Sequence, residues 1–416
     1  MSITEQKPDH KTLADLLKDY QHGWSLEQDF YTSPEVYRAE KEKIFLKNWV
    51  LAGHESQIPN VGDYFLFEID VESVIVLRTK DGIKAHMNVC RHRGSHICLE
   101  KQGTAKALVC PYHAWTYDLD GALIGARQMA EDFDKAEHGL HPVHLRMVGG
   151  LIFISLADEP LSLDRMFTDL ADVFELYGFD DMRVAHYQSY PINANWKLAV
   201  ENYQECYHCA PSHTEFSQVH AMAGSPAKFK AHHERYAKSL DEDAFDTKLK
   251  LKESCAYFDL AKPGDEGYQY GRNPLLPGAE SGSADGKGVA PLLGKLKAYD
   301  GGAAEFMLGP MSYFLIYDDH MLAYRFTPTG PDTCKGDLYW FVRGDAVEGK
   351  DYDREKLTWL WDVTIKADEE IIVNNQKGVI SHFYRPGRLS EMEYFEQHFL
   401  NWYLKALGGL DTKKSI

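Results

Sequence analysis

Residues 88–117, NVCRHRGSHICLEKQGTAKALVCPYHAWTY, carry two pairs of metal-ligating residues: Cys90 with His92, and Cys110 with His113. Seventeen residues separate the pairs. Each pair follows a short apolar run and sits in a turn, CRHRG or CPYH, so two hairpin tips facing each other would close one cage. Thiolates are soft ligands suited to iron–sulfur clusters, and imidazoles are neutral nitrogen donors. Two cysteines on one iron and two histidines on the other make a [2Fe–2S] centre with a potential of roughly −150 to +300 mV, because imidazoles carry less negative charge than thiolates. Such a centre can take electrons from a ferredoxin or a flavin. A structural zinc also accepts two cysteines and two histidines, but its usual spacing groups the cysteines first and the histidines after. Cys98 and His96, in the connector, have no matching partners and read as packing and surface residues.

A second constellation lies in NWKLAVENYQECYHCAPSH, residues 195–213, which supplies Glu205, His208 and His213. Two histidines plus a carboxylate on one face of a metal hold non-haem iron(II) and leave positions open for O₂ and substrate. Histidines near a helix end are often structural, however. Their spacing of five is not a same-face helical spacing. The helix is therefore expected to end between them, at Pro211. Cys206 and Cys209 form a C-x-x-C spacing around His208; a redox disulfide is not expected there.

These residues need elements to position them. Residues 11–20 and 34–48 read as helices. From about 48 to 155, short runs such as YFLFEI, SVIVLRT, KAHMNV and GGLIFISL alternate with Gly, Asp and Asn turns, which predicts a small all-β unit of hairpins. DLDGAL, residues 118–123, carries an Asp-Gly turn signal. A second unit begins near 160, with a helix in LSLDRMFTDLADVFELYGF and a strand running into a helix capped by Asn195. Residues 240–300 are polar and Gly/Pro-rich and read as a lid or a disordered insert. The strands SYFLIYDD, HMLAYRFTP and GDLYWFVRG follow, then a long helix at about 352–377. Helices with an antiparallel sheet make the second unit α+β.

Composition sets outer bounds. The 416 residues exceed one ordinary core, and 44% hydrophobic residues can build large ones. A net charge of −18 argues against a nucleic-acid binder. Seven scattered cysteines do not make a disulfide framework. The N-terminus lacks the apolar core of a signal peptide, and no apolar run approaches a membrane span. The chain reads as soluble and cytoplasmic. No strand–turn–helix glycine fingerprint for a nucleotide is present, so electrons must come from elsewhere.

CRHRG and CPYHAWTYDLDG resemble the Rieske-domain signature, matched at Cys90, His92, Arg93, Gly94, Cys110, Pro111, Tyr112, His113, Trp115, Tyr117 and Gly121. Residues 195–213 resemble the N-W-K-x-x-x-E-N-x-x-[DE]-x-Y-H-x-x-x-x-H pattern of Rieske oxygenase catalytic subunits, and the likeness runs from about residue 30 to 405. It implies a small Rieske domain joined to a larger α+β helix-grip domain, with an N-terminal helical segment at 1–46, the cluster domain at 47–158 and the catalytic domain at 159–416. It implies a [2Fe–2S] cluster on Cys90, His92, Cys110 and His113, and mononuclear iron(II) on His208, His213 and Asp368. In the family's late helix an Asp precedes a Gln by eight residues, here Asp368 and Gln376. Glu369 is the competitor and Asp362 a weaker one.

The resemblance also assigns a role to Glu205. In the family this carboxylate joins the Rieske histidine of one subunit to an iron-ligating histidine of the next, in a head-to-tail ring of three. By that likeness Glu205 links a neighbour's His113 to His208. Most members have Asp there; Glu followed by Cys-Tyr-His-Cys looks more like the branch acting on betaines and carnitine. The implied activity is that of a monooxygenase supplied by a flavin- or ferredoxin-type reductase. It would hydroxylate an N-methyl group with O₂ and release formaldehyde. An aromatic-ring hydroxylating (di)oxygenase is the alternative within the fold, and an electron carrier without catalytic iron the alternative outside it. A quaternary ammonium binds aromatic faces, which residues 305–326 offer, with Phe306, Tyr313 and Tyr324 as pocket candidates. The same residues could instead be sheet core.

Overall fold

The computed structural model describes residues 11–241, 245–255 and 265–409. The expectation of no signal peptide falls partly on residues 1–10, outside the described residues.

Asn195 marks the join between the two halves of the catalytic motif. It follows the strand Met182–Ile192 and caps the helix Trp196–Tyr203, its side chain accepting from Lys197 N at 3.1 Å. That bond satisfies one of the unpaired N–H groups of the first turn. The next two residues are anchored below. Glu40 accepts from Trp196 Nε1 at 3.0 Å, from Lys197 Nζ at 2.6 Å and from Tyr403 Oη at 2.5 Å, all fully buried. A buried carboxylate survives only with such partners. The N-W-K motif is thus a fastener that fixes the helix leading to the histidines.

The catalytic half is built on one seven-stranded antiparallel sheet. Its order is Met182–Ile192, Thr333–Arg343, Met321–Gly330, Ser312–Ile316, Gly302–Leu308, Tyr268–Pro274 and Ser254–Cys255. Side chains alternate across it. One face, with Tyr313, Leu315, Tyr324 and Leu338, packs under Trp196–Tyr203 and the long helix Arg354–Val379. The opposite face, with Phe306, Phe314, Ala323 and Phe341, packs on the helix Asp164–Tyr177. The helices Asp164–Tyr177 and Arg354–Val379 match the sequence expectation.

The small β unit holds three short sheets. The strand Val50–His54 pairs with Leu151–Ser155, closing the unit. Gly82–Met87, Glu72–Thr79 and Asp63–Ile69 form the core of a second sheet, and Leu108–Val109, Thr116–Tyr117 and Leu123–Gly125 the third. The Asp118–Ala122 turn is tied by Asp118 Oδ1 accepting from Asp120 N and Ala122 N. Arg325, from the large sheet, clamps this unit by donating to Leu51 O at 2.8 Å and Ala52 O at 2.7 Å, while Asp337 balances its charge.

Two expectations need correction. Residues 34–48 are not one α-helix: Pro34–Glu40 is α-helical, but Lys41–Phe45 opens into a π turn. The stretch 240–300 is not a lid throughout. Residues 242–244 and 256–264 lie outside the described residues, but 276–300 pack into the domain. Ser281 and Leu293 are fully buried; Ser281 Oγ donates to Asp319 Oδ1 at 2.5 Å and Leu293 N to Asp318 O at 2.8 Å. Polar residues here satisfy buried partners, so polarity did not mean exposure.

Candidate metal centres

The first centre sits at two turn tips. Gly94 N donates to Cys90 O and Ala114 N to Cys110 O, both at 3.0 Å. Gly94 takes φ of +78° and Ala114 of +55°, so each loop reverses through the left-handed region. Cys90 and Cys110 are buried, and burial pushes the Cys110 thiol up. His92 and His113 lie outside them, exposed, with their Nδ1 atoms 3.2 Å apart. Trp115 stacks on His92 at 4.8 Å, and Tyr117 Oη bonds the Cys90 sulfur at 3.3 Å. Two inner thiols and two outer imidazole nitrogens aimed at one another are a donor set that fits a mixed-ligand [2Fe–2S] cluster. Cys98 is buried, its thiol pushed up to about 11 by burial, and His96 points outward.

The second centre joins residues far apart in the chain. One donor atom each from His208, His213 and Asp368 lies within 4.8 Å of the others. Asp368 Oδ1 is 2.8 Å from His213 Nε2 and 3.3 Å from His208 Nε2. The imidazoles stand nearly perpendicular, at 83° and 5.1 Å between centroids. Burial pushes the Asp368 carboxyl up, but hydrogen bonds from both histidines outweigh it and hold it below its ordinary value. Burial pulls His208 down, yet Asp368 and Glu205 together raise it to about 9. Both ring nitrogens of His208 thus face a carboxylate. The donor set, two imidazoles and one ionised carboxylate, fits iron(II).

The helix does not end at Pro211. It ends at Tyr203, and a one-turn helix, Cys209–Ser212, follows His208. Pro211 lies inside that first turn, where its missing N–H costs no bond. His208 and His213 meet because they flank this short turn. Cys206 and Cys209 are joined as a disulfide, contrary to expectation; two cysteines three apart on a single turn come within bonding range. Glu205 accepts from His208 N at 3.2 Å and from Tyr207 N, and contacts His208 Nδ1 at 2.5 Å. It thus holds the ring nitrogen turned away from Asp368. Glu369 stands beside the triad without joining it, and Asp362 is occupied by Tyr190 Oη and Lys366 Nζ.

A small cavity of about 40 Å³ opens on Asp368, lined by Asn202, Tyr203, Tyr324, Phe326 and Trp361 among others. Tyr203 packs its ring 4.4 Å from Tyr313 and 5.2 Å from Tyr324. Phe306 is elsewhere: strand alternation turns it to the opposite face, against Phe174 and Phe314. Tyr203 and Trp361 were not foreseen. Trp361 lies seven residues before Asp368, two turns along one helix face, and that spacing is a readable signal. A larger cavity of about 430 Å³ reaches Glu205 and His208 past Tyr31, Glu201, Glu393 and Glu396. Burial pushes Glu201 up to about 8 and Glu396 up to about 10. Among the described residues, no helix is long and apolar enough to cross a membrane.

The chain is similar to known proteins over most of its length. Residues 179–409 match the ring hydroxylating alpha subunit (catalytic domain), and residues 48–144 the Rieske [2Fe-2S] domain. The glycine betaine monooxygenase oxygenase subunit of Pseudomonas aeruginosa is 36% identical over 408 residues, covering 96% of this chain and 93% of that protein. The carnitine monooxygenase oxygenase subunit of Escherichia coli K12 is 37% identical over 221 residues, 52% of this chain and 59% of that protein. Among solved structures, a quaternary ammonium Rieske monooxygenase superposes with a TM-score of 0.70 at 23% identity, covering 97% of this chain and 100% of that one. Naphthalene 1,2-dioxygenase with bound indole gives 0.62 at 18% identity, covering 95% of each chain. With the catalytic-domain match spanning more than half its length and a Rieske domain before it, the chain belongs to the ring-hydroxylating alpha-subunit family of Rieske non-haem iron oxygenases.

Proposed function

We propose that this chain is the oxygenase component of a monooxygenase that N-demethylates a betaine-like quaternary ammonium compound. The observation that carries the reading is an aromatic cavity, walled by Tyr203, Tyr324, Phe326 and Trp361, that opens on Asp368 of the triad. A quaternary ammonium has no N–H to donate, and aromatic faces are its natural partners. Relatives that act on glycine betaine and carnitine support the assignment.

In this reading Cys90, His92, Cys110 and His113 hold the cluster, and His208, His213 and Asp368 hold the iron. The bound metals supply single electrons and O₂ activation. Tyr203, Tyr324 and Trp361 orient the ammonium with one methyl toward the triad. One oxygen atom of O₂ enters a methyl C–H bond; the other leaves as water with two electrons and two protons. The N-hydroxymethyl product then breaks its C–N bond to give formaldehyde and the demethylated amine. Glu205 orients His208 and, in a head-to-tail trimer, meets His113 of a neighbour. A flavin- or ferredoxin-type reductase feeds the cluster domain at 47–158, and the domain at 159–416 does the chemistry.

The test is formaldehyde release from a panel of glycine betaine, proline betaine and carnitine, with reductase and O₂. Stoichiometric formaldehyde and demethylated amine are expected from at least one of these or from choline, run beside them as the carboxylate-free member. A hydroxylated ring or cis-diol from an aromatic panel, with no formaldehyde, moves the function to ring hydroxylation. An oxygenase with cluster but no mononuclear iron, even after iron(II) addition, makes the chain an electron carrier.

A further inference from the structure

The helix-facing side of the strands Tyr268–Pro274 and Gly302–Leu308 is built unlike the rest of the sheet. On the neighbouring strands that face is apolar and buried: Tyr313, Leu315, Leu322 and Tyr324. On these two, Ala303 and Met307 are buried on that face, but Gln269, Gly271, Asn273 and Glu305 between them are partly accessible, while their neighbours on the opposite face, Tyr268, Tyr270, Arg272 and Phe306, are buried. Accessible surface inside a domain means internal space.

Three observations describe that space. Glu305 pairs across the ladder with Gly271, so the two residues share a face side by side. A Cβ at Gly271 would meet nothing within 4 Å among the described residues, so there is room beside Gly271 on that face. Gln269 Oε1 is buried and has no hydrogen-bond partner. Among the described residues no lysine, arginine or histidine pairs with Glu305; its one polar partner is Asn273, and burial pushes its carboxyl up. The buried carboxylates of the adjoining turn and of the opposite face are held: Asp318 by Arg272, Asp319 by His320 and Ser281, Asp337 by Arg325. Among the described residues Glu305 stands apart as an acid beside Gly271 without a cationic partner.

The space lies on the same sheet face as Tyr324, which lines the cavity on Asp368. Glu305 pairs with Leu315, whose neighbour Tyr313 carries the ring of Tyr203. Tyr203 lines the cavity on Asp368. The ring of Tyr203 thus touches both the cavity on Asp368 and Tyr313, on the sheet face that carries Glu305.

We propose that Glu305, with Gln269 and Asn273 around the gap at Gly271, forms the far end of the substrate pocket, and that it selects quaternary ammonium compounds lacking a carboxylate at that end. This rests on the quaternary-ammonium reading above and narrows it. Two acceptors, a carboxylate and an amide oxygen, attract positive charge or a donated hydroxyl, and repel a second carboxylate. An ammonium alcohol such as choline satisfies both. A zwitterion such as glycine betaine sets like charges against each other.

Equilibrium binding of choline and of glycine betaine to the cluster- and iron-loaded protein tests this, with the visible spectrum of the cluster as the check on folding. The wild type is expected to bind choline more tightly. Glu305→Gln is expected to weaken choline about tenfold or more, to leave glycine betaine unchanged or tighter, and Glu305→Asp to restore part of the choline preference. If Glu305→Gln changes both ligands equally or neither, the inference falls and the demethylase reading stands. If the wild type binds no quaternary ammonium compound at all, both fall. If Glu305→Gln does not load its cluster, Gly271→Ala decides: its methyl enters open space, so the fold holds, and undiminished choline binding overturns the proposal.

Discussion

Asp368 Oδ1 lies 2.8 Å from His213 Nε2, although 155 residues separate them. The long helix Arg354–Val379 crosses the chain beside Cys209–Ser212 and delivers a carboxylate to a pair of imidazoles. Its next residue, Glu369, projects 100° further round the helix and stays outside the group. Asp368→Ala should therefore lose the mononuclear iron alone. Iron should fall from about three to about two atoms per chain, with acid-labile sulfide steady at about two. Unchanged iron would transfer the ligand role to Glu369.

Glu205 touches the ring nitrogen of His208 that faces away from Asp368. Removing a partner of that kind commonly costs about 10–100-fold in metal affinity or activity. Glu205→Gln should keep both metals, keep a cluster reducible by the reductase, and lose turnover on that scale. Single-turnover reoxidation of the reduced cluster in the presence of substrate is the reading; a wild-type rate would remove Glu205 from the electron path.

Lys197 and Glu40 form a fully buried ion pair at 2.6 Å. Leaving one partner buried alone costs about 3–5 kcal/mol. Lys197→Met should lower the urea midpoint accordingly, and adding Glu40→Gln should recover a large part of it. Additive losses in the double variant would show that the two residues act separately.

His54 and His220 are buried, and burial lowers both to about 4, from an ordinary value of 6.5. Below pH 6.5 the unfolded chain takes up protons that the folded chain refuses until about pH 4. The stability present above 6.5 is thus lost as pH falls through that window. His54→Gln removes one such group, so its urea midpoint should fall less between pH 7 and pH 5 than that of the wild type. An identical fall in both would mean that His54 is protonated in the folded protein.

Much of this arrangement was legible in the residues. Cys90, His92, Cys110 and His113 are close in sequence, and hairpin turns bring close residues together with few alternatives. The Asn195 cap, the helix after it and the late helix follow from capping chemistry and apolar spacing. Pro211 misled because proline breaks a helix interior but is tolerated in a first turn, and spacing does not reveal where a turn begins. Phe306 misled because a strand's two faces are both apolar when both are covered, so alternation leaves no polar mark to tell pocket from core.

The sequence by itself determined the ligand types, the short loops that carry them and the two-part organisation, since these depend on residues a few positions apart. Only the tertiary structure decided that Asp368 and not Glu369 meets the histidines, that Tyr203 and Trp361 wall the cavity, and that Glu305 lies across the ladder from Gly271. Those relations depend on how a helix is rotated on a sheet and which strands lie side by side, and long-range packing settles both.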